Sequence, residues 1–244
     1  MMNSKGIGLP ELLISLFLAS LILSALVNIY LSAKKEYFYL QERLGSEVDV
    51  VNVIEVMRDS IHRAGFTPCL NLNQLKSYDA HTRKALLPAI VLNSQRATSL
   101  NINRMSEQFA SVVTVVNDTE LKLKEEASWI QQNKKIIIAN CTYAEVHEVT
   151  QVKHKHQETI VTLNSPLYYH YEGEMYVGEW IEEKFYIHQQ HNKSVLYYQF
   201  HHADELTSSI NSMKLKMQEE QKLVEVTLGL NHGKEIQFTS AVRE

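Results

Sequence analysis

Apolar residues are spread unevenly along this chain. From Leu12 to Leu31 the sequence reads LLISLFLASLILSALVNIYL, twenty residues without a charge, with Ser15, Ser20, Ser24 and Asn28 as the clearly polar positions. A helix in a soluble core is apolar along one stripe, whereas this one is apolar on every side. At about 1.5 Å per residue it spans roughly 30 Å, the thickness of a bilayer's hydrocarbon layer. Apolar residues then recur at Leu40, Leu44, Val48, Val51, Ile54, Met57 and Ile61, at spacings of three and four that make one helical stripe. Charges such as Glu42, Asp49, Glu55 and Arg58 fall elsewhere. Gly45 interrupts the stripe at a cost of about 1 kcal/mol relative to Ala and permits a local bend. Gly65, just after His62 and Arg63, is a suitable helix stop. The pattern predicts one helix over residues 9–64, its second half lying on a globular domain.

From residue 89 onward the period shortens to β-branched and aromatic runs. Predicted strands are 89–93, 111–117, 135–140, 159–163, 183–189, 194–201, 212–217, 222–230 and 235–242. Turn-forming residues at 190–193 and 231–233 separate two pairs of them. Residues 66–88 read as a loop-rich connection. Helix first and strands afterwards predict an α+β fold, an antiparallel sheet packed on the amphipathic half of the helix.

The chain has 244 residues, 45% hydrophobic, enough for one domain with a real core plus an extension. Its 24 basic and 28 acidic side chains give a formal charge of −4, which removes the simplest nucleic-acid reading, and no direct nucleic-acid binding is expected. Neither a Gly-rich phosphate loop nor a G-x-S-x-G elbow occurs, so neither an enzyme nor a cofactor is expected. Eleven histidines raise the question of a metal. His154 and His156 would share a strand face, His188 and His191 are near in sequence, and His201 adjoins His202, yet no segment has four-ligand spacing. His147-Glu148 begins like a zinc-protease motif, but Gln151 stands where the second histidine is required. No metal is expected. The aromatic stretch Tyr168, Tyr169, Tyr171, Tyr176 and Trp180 reads as sheet packing, with a sticky surface for subunits or host ligands as the other use.

Three readings of the N-terminal segment follow from the residues around it. A secretory signal would use Lys5 and a cleavage site near Ala33, although Glu11 would then sit inside the apolar run. A plain single-pass anchor would be biased by Lys34 and Lys35 to place that flank in the cytoplasm. The third reading rests on residues 1–11, MMNSKGIGLPE: a short leader with Lys5 ending in Gly6, then apolar positions and a carboxylate at Glu11. This resembles the type IV prepilin signature. Residues 6–37 and 40–69, closing with Ala64-Gly65-Phe66-Thr67-Pro68-Cys69, resemble the PilW family of minor pilins. The stretches 134–141, 194–200, 205–217 and 236–244 are similar to it more loosely.

The resemblance implies a type IV pilin-like fold with a leader over 1–6, an apolar transmembrane and filament-core helix over 7–33, an amphipathic half over 34–65 and a β-rich domain over 66–244. It implies cleavage by a prepilin peptidase between Gly6 and Ile7, and N-methylation of Ile7. Ile7 stands where the family usually has Phe, and Pro10 is tolerated because a first-turn N–H has no helical partner. Glu11, costly in an apolar helix, would pair with the amine of a neighbouring subunit; the alternative is a helix-start carboxylate favoured by the dipole and wetted by headgroups. The implied protein is a minor pilin that helps to initiate pilus assembly, with indirect roles in adhesion, twitching motility or DNA uptake. Its partners would be other minor pilins, the major pilin, the peptidase and the inner membrane. It would lie in that membrane with a periplasmic domain, then in the filament at the cell surface. With the domain outside the cytoplasm, Cys69 and Cys141 are allowed to form one disulfide, closing a loop of about 70 residues; two unrelated buried thiols are the alternative. A minor pseudopilin of type II secretion shares the N-terminal logic. A membrane-anchored periplasmic binding protein would instead keep its N-terminus uncut and show no dependence on Glu11.

Overall fold

The structure, a computed structural model, describes residues 8–93, 99–124, 126–155, 158–190, 193–218, 222–231 and 233–243. It opens with one helix, α1 (Leu9–His62), which runs through Gly45 without a break and ends two residues before the predicted stop. The chain divides into two compact units between Asp49 and Val50, within α1.

In the first unit every described side chain from Leu9 to Gln41 is exposed. The helix is long and apolar enough to cross a membrane, and none of its most apolar stretch is buried within the protein. The stripe predicted to lie on the domain behaves differently. Leu40, Leu44, Val48 and Val51 are exposed, by 49%, 60%, 56% and 54%, and burial begins only at Val50. In the second unit the buried line of the helix is Val50, Val53, Met57, Ser60 and Ile61, rotated by one residue from the predicted start. Spacing of three and four identifies a helical face but does not say where along it the partner surface begins.

The second unit contains fourteen strands among its described residues: β1 (Lys76–Asp79), β2 (Lys84–Ala85), β3 (Ile90–Asn93), β4 (Ser99–Asn117), β5 (Glu120–Leu123), β6 (Lys135–Ala139), β7 (Tyr143–Lys155), β8 (Glu158–Leu163), β9 (Tyr176–Gln190), β10 (Lys193–Gln199), β11 (Ala203–Thr207), β12 (Ile210–Gln218), β13 (Leu223–Leu230) and β14 (Glu235–Ala241). Six of them pair in a closed circuit, β9 to β4, β5, β8, β7, β6 and back to β9, each pair antiparallel. Closure satisfies strand edges that an open sheet would leave free. Leu121, Leu123, Ile136, Ile138, Val161 and Val177 belong to one core inside this ring. Ile137, between Ile136 and Ile138 on β6, turns the other way into a second core with Met105, Trp180, Leu72 and Leu75. Alternating residues thus feed two cores, which is why the run Ile136–Ile138 is apolar without a break.

The third core holds the helix. Val50, Val53, Met57 and Ile61 pack with Leu100, Ile102, Phe185 and Leu196 of the large sheet and with Val224, Val226, Leu228 and Phe238 of the small sheet β12-β13-β14. The architecture is α+β, as the sequence pattern implies. Two expectations need correction. The large sheet is mixed rather than antiparallel, because β1 pairs in parallel with β7. Residues 66–88 are not merely loop: they carry a short 3-10 turn (Leu72–Gln74), β1 and β2. Leu72 and Leu75 anchor this segment over the outer wall of the ring, and their irregular spacing hid it.

Candidate functional site

Gly6 and Ile7, the expected cleavage and methylation positions, lie outside the described residues. Glu11 occupies the first turn of α1, one residue after Pro10. Its Oε2 accepts a hydrogen bond from the Gly8 N–H at 3.1 Å, so within the chain the carboxylate closes the helix start, where a negative charge is favoured by the unpaired N–H groups. Ser15 and Ser20 hide their hydroxyls in the same way by donating to Leu12 and Phe17 carbonyls, which removes polar groups from an apolar surface.

At the other end of the helix, Gly65 has φ +71°, a region that glycine enters without strain. A Cβ on it would meet Asn71 Oδ1 at 2.5 Å and the Ala89 Cβ at 2.6 Å. Its N–H donates to the Asn103 carbonyl at 2.8 Å, and its carbonyl accepts from Leu72 at 2.8 Å. Asn71 Nδ2 donates to the Ala64 carbonyl at 2.9 Å and to the Arg243 carbonyl at 2.8 Å, so one buried amide joins the helix end to the last described residue. Asn71 is not legible as a functional position from the sequence, since a lone asparagine in a loop carries no local signal. Just beyond, Cys69 and Cys141 are joined in a disulfide with their Cα atoms 5.2 Å apart. It ties the segment after the helix to the start of β7.

The densest polar construction lies on β7. Glu145 and His147 are fully buried, and they stand across from Ile138 and Ile136, residues of the ring's core. Glu145 accepts hydrogen bonds from the backbone N–H of Tyr168 at 2.8 Å and of Tyr169 at 2.6 Å. Its Oε2 is also 2.8 Å from His147 Nε2, and His147 Nδ1 lies 3.2 Å from Ser165 Oγ. A buried carboxylate is tolerated when it is paired in this way. It fixes the loop 164–175, which also packs Leu167 and Tyr171 against the ring's core. Burial and the nearby Glu145 charge hold the Tyr171 hydroxyl far above its ordinary value of 10.0.

This loop lays its tyrosines on strand tyrosines. Tyr168 stacks on Tyr78 of β1 with ring centroids 4.3 Å apart, and Tyr169 stacks on Tyr143 of β7 at 4.5 Å. The two loop rings meet edge to face at 5.0 Å. Of the aromatic stretch singled out in the sequence, Trp180 is core and Tyr176 packs against Phe109, whereas Tyr168 is 64% exposed. The packing expected of that stretch is therefore present at Trp180 and Tyr176, and Tyr168 stands at the surface.

Ser165, His147 and Glu145 form a line of hydrogen bonds with the elements of a nucleophile, a base and an orienting acid. The N–H groups of Tyr168 and Tyr169, which lie in the same loop, are committed to Glu145 rather than open to an oxyanion. The line holds Ser165 and, through Glu145, the N–H groups of Tyr168 and Tyr169 in one loop. The remaining histidines scatter: His154 Nδ1 lies 3.2 Å from Thr159 Oγ1, and His202 Nε2 lies 3.1 Å from Asp204. His156 and His191 lie outside the described residues. Among the described residues no three of His, Cys, Asp and Glu gather as a metal site. A groove of about 480 Å³ on the large sheet is lined by Lys134, Lys135, Lys184, Glu179 and Glu182, with Lys135 and Glu182 3.3 Å apart. Neither a protein-family profile, a curated protein nor a solved structure matches the chain.

Proposed function

We propose that this protein is a minor pilin of a type IV pilus, processed by a prepilin peptidase and taking part in the start of filament assembly. The observation that carries the reading is the first half of α1: a helix apolar on all sides, wholly exposed, with Glu11 in its first turn, four residues after Ile7. Such a surface needs a bilayer first and an equally dry environment afterwards, and a filament core made of like helices supplies the second. The leader holds Lys5 in the cytoplasm and sends the β domain outward, which suits the Cys69–Cys141 disulfide. After cleavage the Ile7 amine becomes the natural partner of a neighbouring subunit's Glu11.

The test is Glu11→Ala in a piliated host. Sheared filaments should lose the protein while its amount in the inner membrane is unchanged, because removing one carboxylate only eases membrane insertion. Normal incorporation of the variant into filaments would overturn the pairing role of Glu11.

A further inference from the structure

We propose that the four tyrosines at the mouth of the strand ring, Tyr78, Tyr143, Tyr168 and Tyr169, form a binding platform for a neutral saccharide. This inference rests on the second unit alone and does not depend on the filament reading.

The platform is built rather than incidental. Tyr78 and Tyr143 come from neighbouring parallel strands: Lys76 pairs with Tyr143, and Tyr78 pairs with Glu145, so both rings stand on the face that carries Glu145. The loop then sets Tyr168 over Tyr78 and Tyr169 over Tyr143. The backbone N–H groups of Tyr168 and Tyr169 both donate to the fully buried Glu145 carboxylate, which is itself held by the fully buried His147. Rings held in this way lose little freedom when a ligand arrives, which favours affinity for a given contact area.

The phenol groups tell the same story. Tyr171, Tyr176 and Tyr197 donate their hydroxyls to protein acceptors, at 3.3, 2.7 and 3.0 Å. The hydroxyls of Tyr78, Tyr143, Tyr168 and Tyr169 make no such bond to the described residues. They rim an aromatic surface with donors and acceptors still open to a ligand. Flat π faces edged by free hydroxyls match the two sides of a sugar ring, whose C–H face is apolar and whose rim is hydroxylated.

Charge and spacing exclude nearer alternatives. A single-stranded nucleic acid would need a run of cations tracking its backbone beside the stacking rings; the β1–β7 register sets one β1 lysine, Lys76, on this face, and the chain is acidic overall. A proline-rich peptide inserts between aromatic side chains. Here the parallel rings already touch at 4.3 and 4.5 Å, leaving no slot. What remains is an outer surface, most open at Tyr168, that takes a flat ring from above.

The experiment uses the full chain in a sugar-free zwitterionic detergent, with saturation-transfer NMR against neutral glucose, galactose and N-acetylhexosamine oligosaccharides. Parallel samples contain an acidic oligosaccharide and an oligothymidylate. Transfer should reach the C–H protons of a neutral sugar, weaken about tenfold or more in Tyr168→Ala, survive in Tyr168→Phe, and stay unchanged in Tyr197→Ala. Absence of transfer to every neutral sugar, transfer unaffected by Tyr168→Ala, or preference for the acidic or nucleotide probe would each overturn the proposal. A Tyr168→Ala variant that instead loses co-purifying pilus subunits, with no sugar signal in the parent protein, would assign the platform to a protein partner and overturn it likewise.

Discussion

Removing the Cys69–Cys141 bridge tests how the domain keeps its first segment in place. The two cysteines are 72 positions apart, and in the chain-entropy picture a loop of that size restricts the unfolded chain by about 4 kcal/mol. Both residues are exposed, so replacing them with serine opens no cavity and leaves no buried thiol. In the folded protein the segment keeps its other ties: Leu72 and Leu75 in their core, four residue pairs between β1 and β7, and the two hydrogen bonds of Asn71. The double variant Cys69→Ser/Cys141→Ser should therefore fold as before yet unfold about 4 kcal/mol more easily. Urea titration of the full chain in detergent, followed by the fluorescence of Trp129 and Trp180, measures the difference, and the reduced parent protein should coincide with the variant. A loss below about 1 kcal/mol, the size of an ordinary surface substitution, would refute the unfolded-state argument.

Two further outcomes follow from packing and charge. Met57 is fully buried among both sheets, so Met57→Ala should cost about 2–5 kcal/mol in the same titration, whereas Leu44→Ala, at an exposed position of the first unit, should change domain stability by less than about 0.5 kcal/mol. Burial pushes the Asp79 carboxyl up, but hydrogen bonds from the Thr82 hydroxyl and the His81 and Thr82 N–H groups, with the Lys135 charge, more than offset it and hold the group below 3.8. Asp79 therefore stabilises the folded state at pH above its unfolded value, and that contribution disappears as pH falls through its lower folded value. The stability gap between the parent protein and Asp79→Asn should be full near pH 6 and close progressively as the pH drops below about 3.8, as acid-titrated unfolding curves would show.

How far the sequence carried depended on whether a signal was local. The apolar run 12–31 needed no tertiary context, because nothing but length and lack of charge defines it. Strands with a plain apolar run, such as Ile136–Ile138 or Thr159–Leu163, were legible for the same reason. β7 was not: its inward positions hold Glu145 and His147, polar residues that break the alternation and gain their partners from a loop twenty residues later. β5, with its alternating Glu-Leu-Lys-Leu, and β11, a charged edge strand, were too short to stand out. The closed circuit of six strands depends on β6 pairing with both β7 and β9, a long-range fact that no window of sequence contains. The tyrosine platform was half visible: Tyr168 and Tyr169 were singled out, but Tyr78 and Tyr143 reach them only through the β1–β7 pairing that accompanies the disulfide.

The most direct test of the pilin assignment is the N-terminal mass of the protein isolated from its native host, with and without prepilin peptidase. A mature chain that begins at N-methylated Ile7, and that reverts to the uncut form without the peptidase, is the expected result. An intact N-terminus in both strains would contradict the assignment and leave a plain membrane anchor; cleavage near Ala33 would contradict it more deeply, by removing the apolar helix on which the filament reading stands.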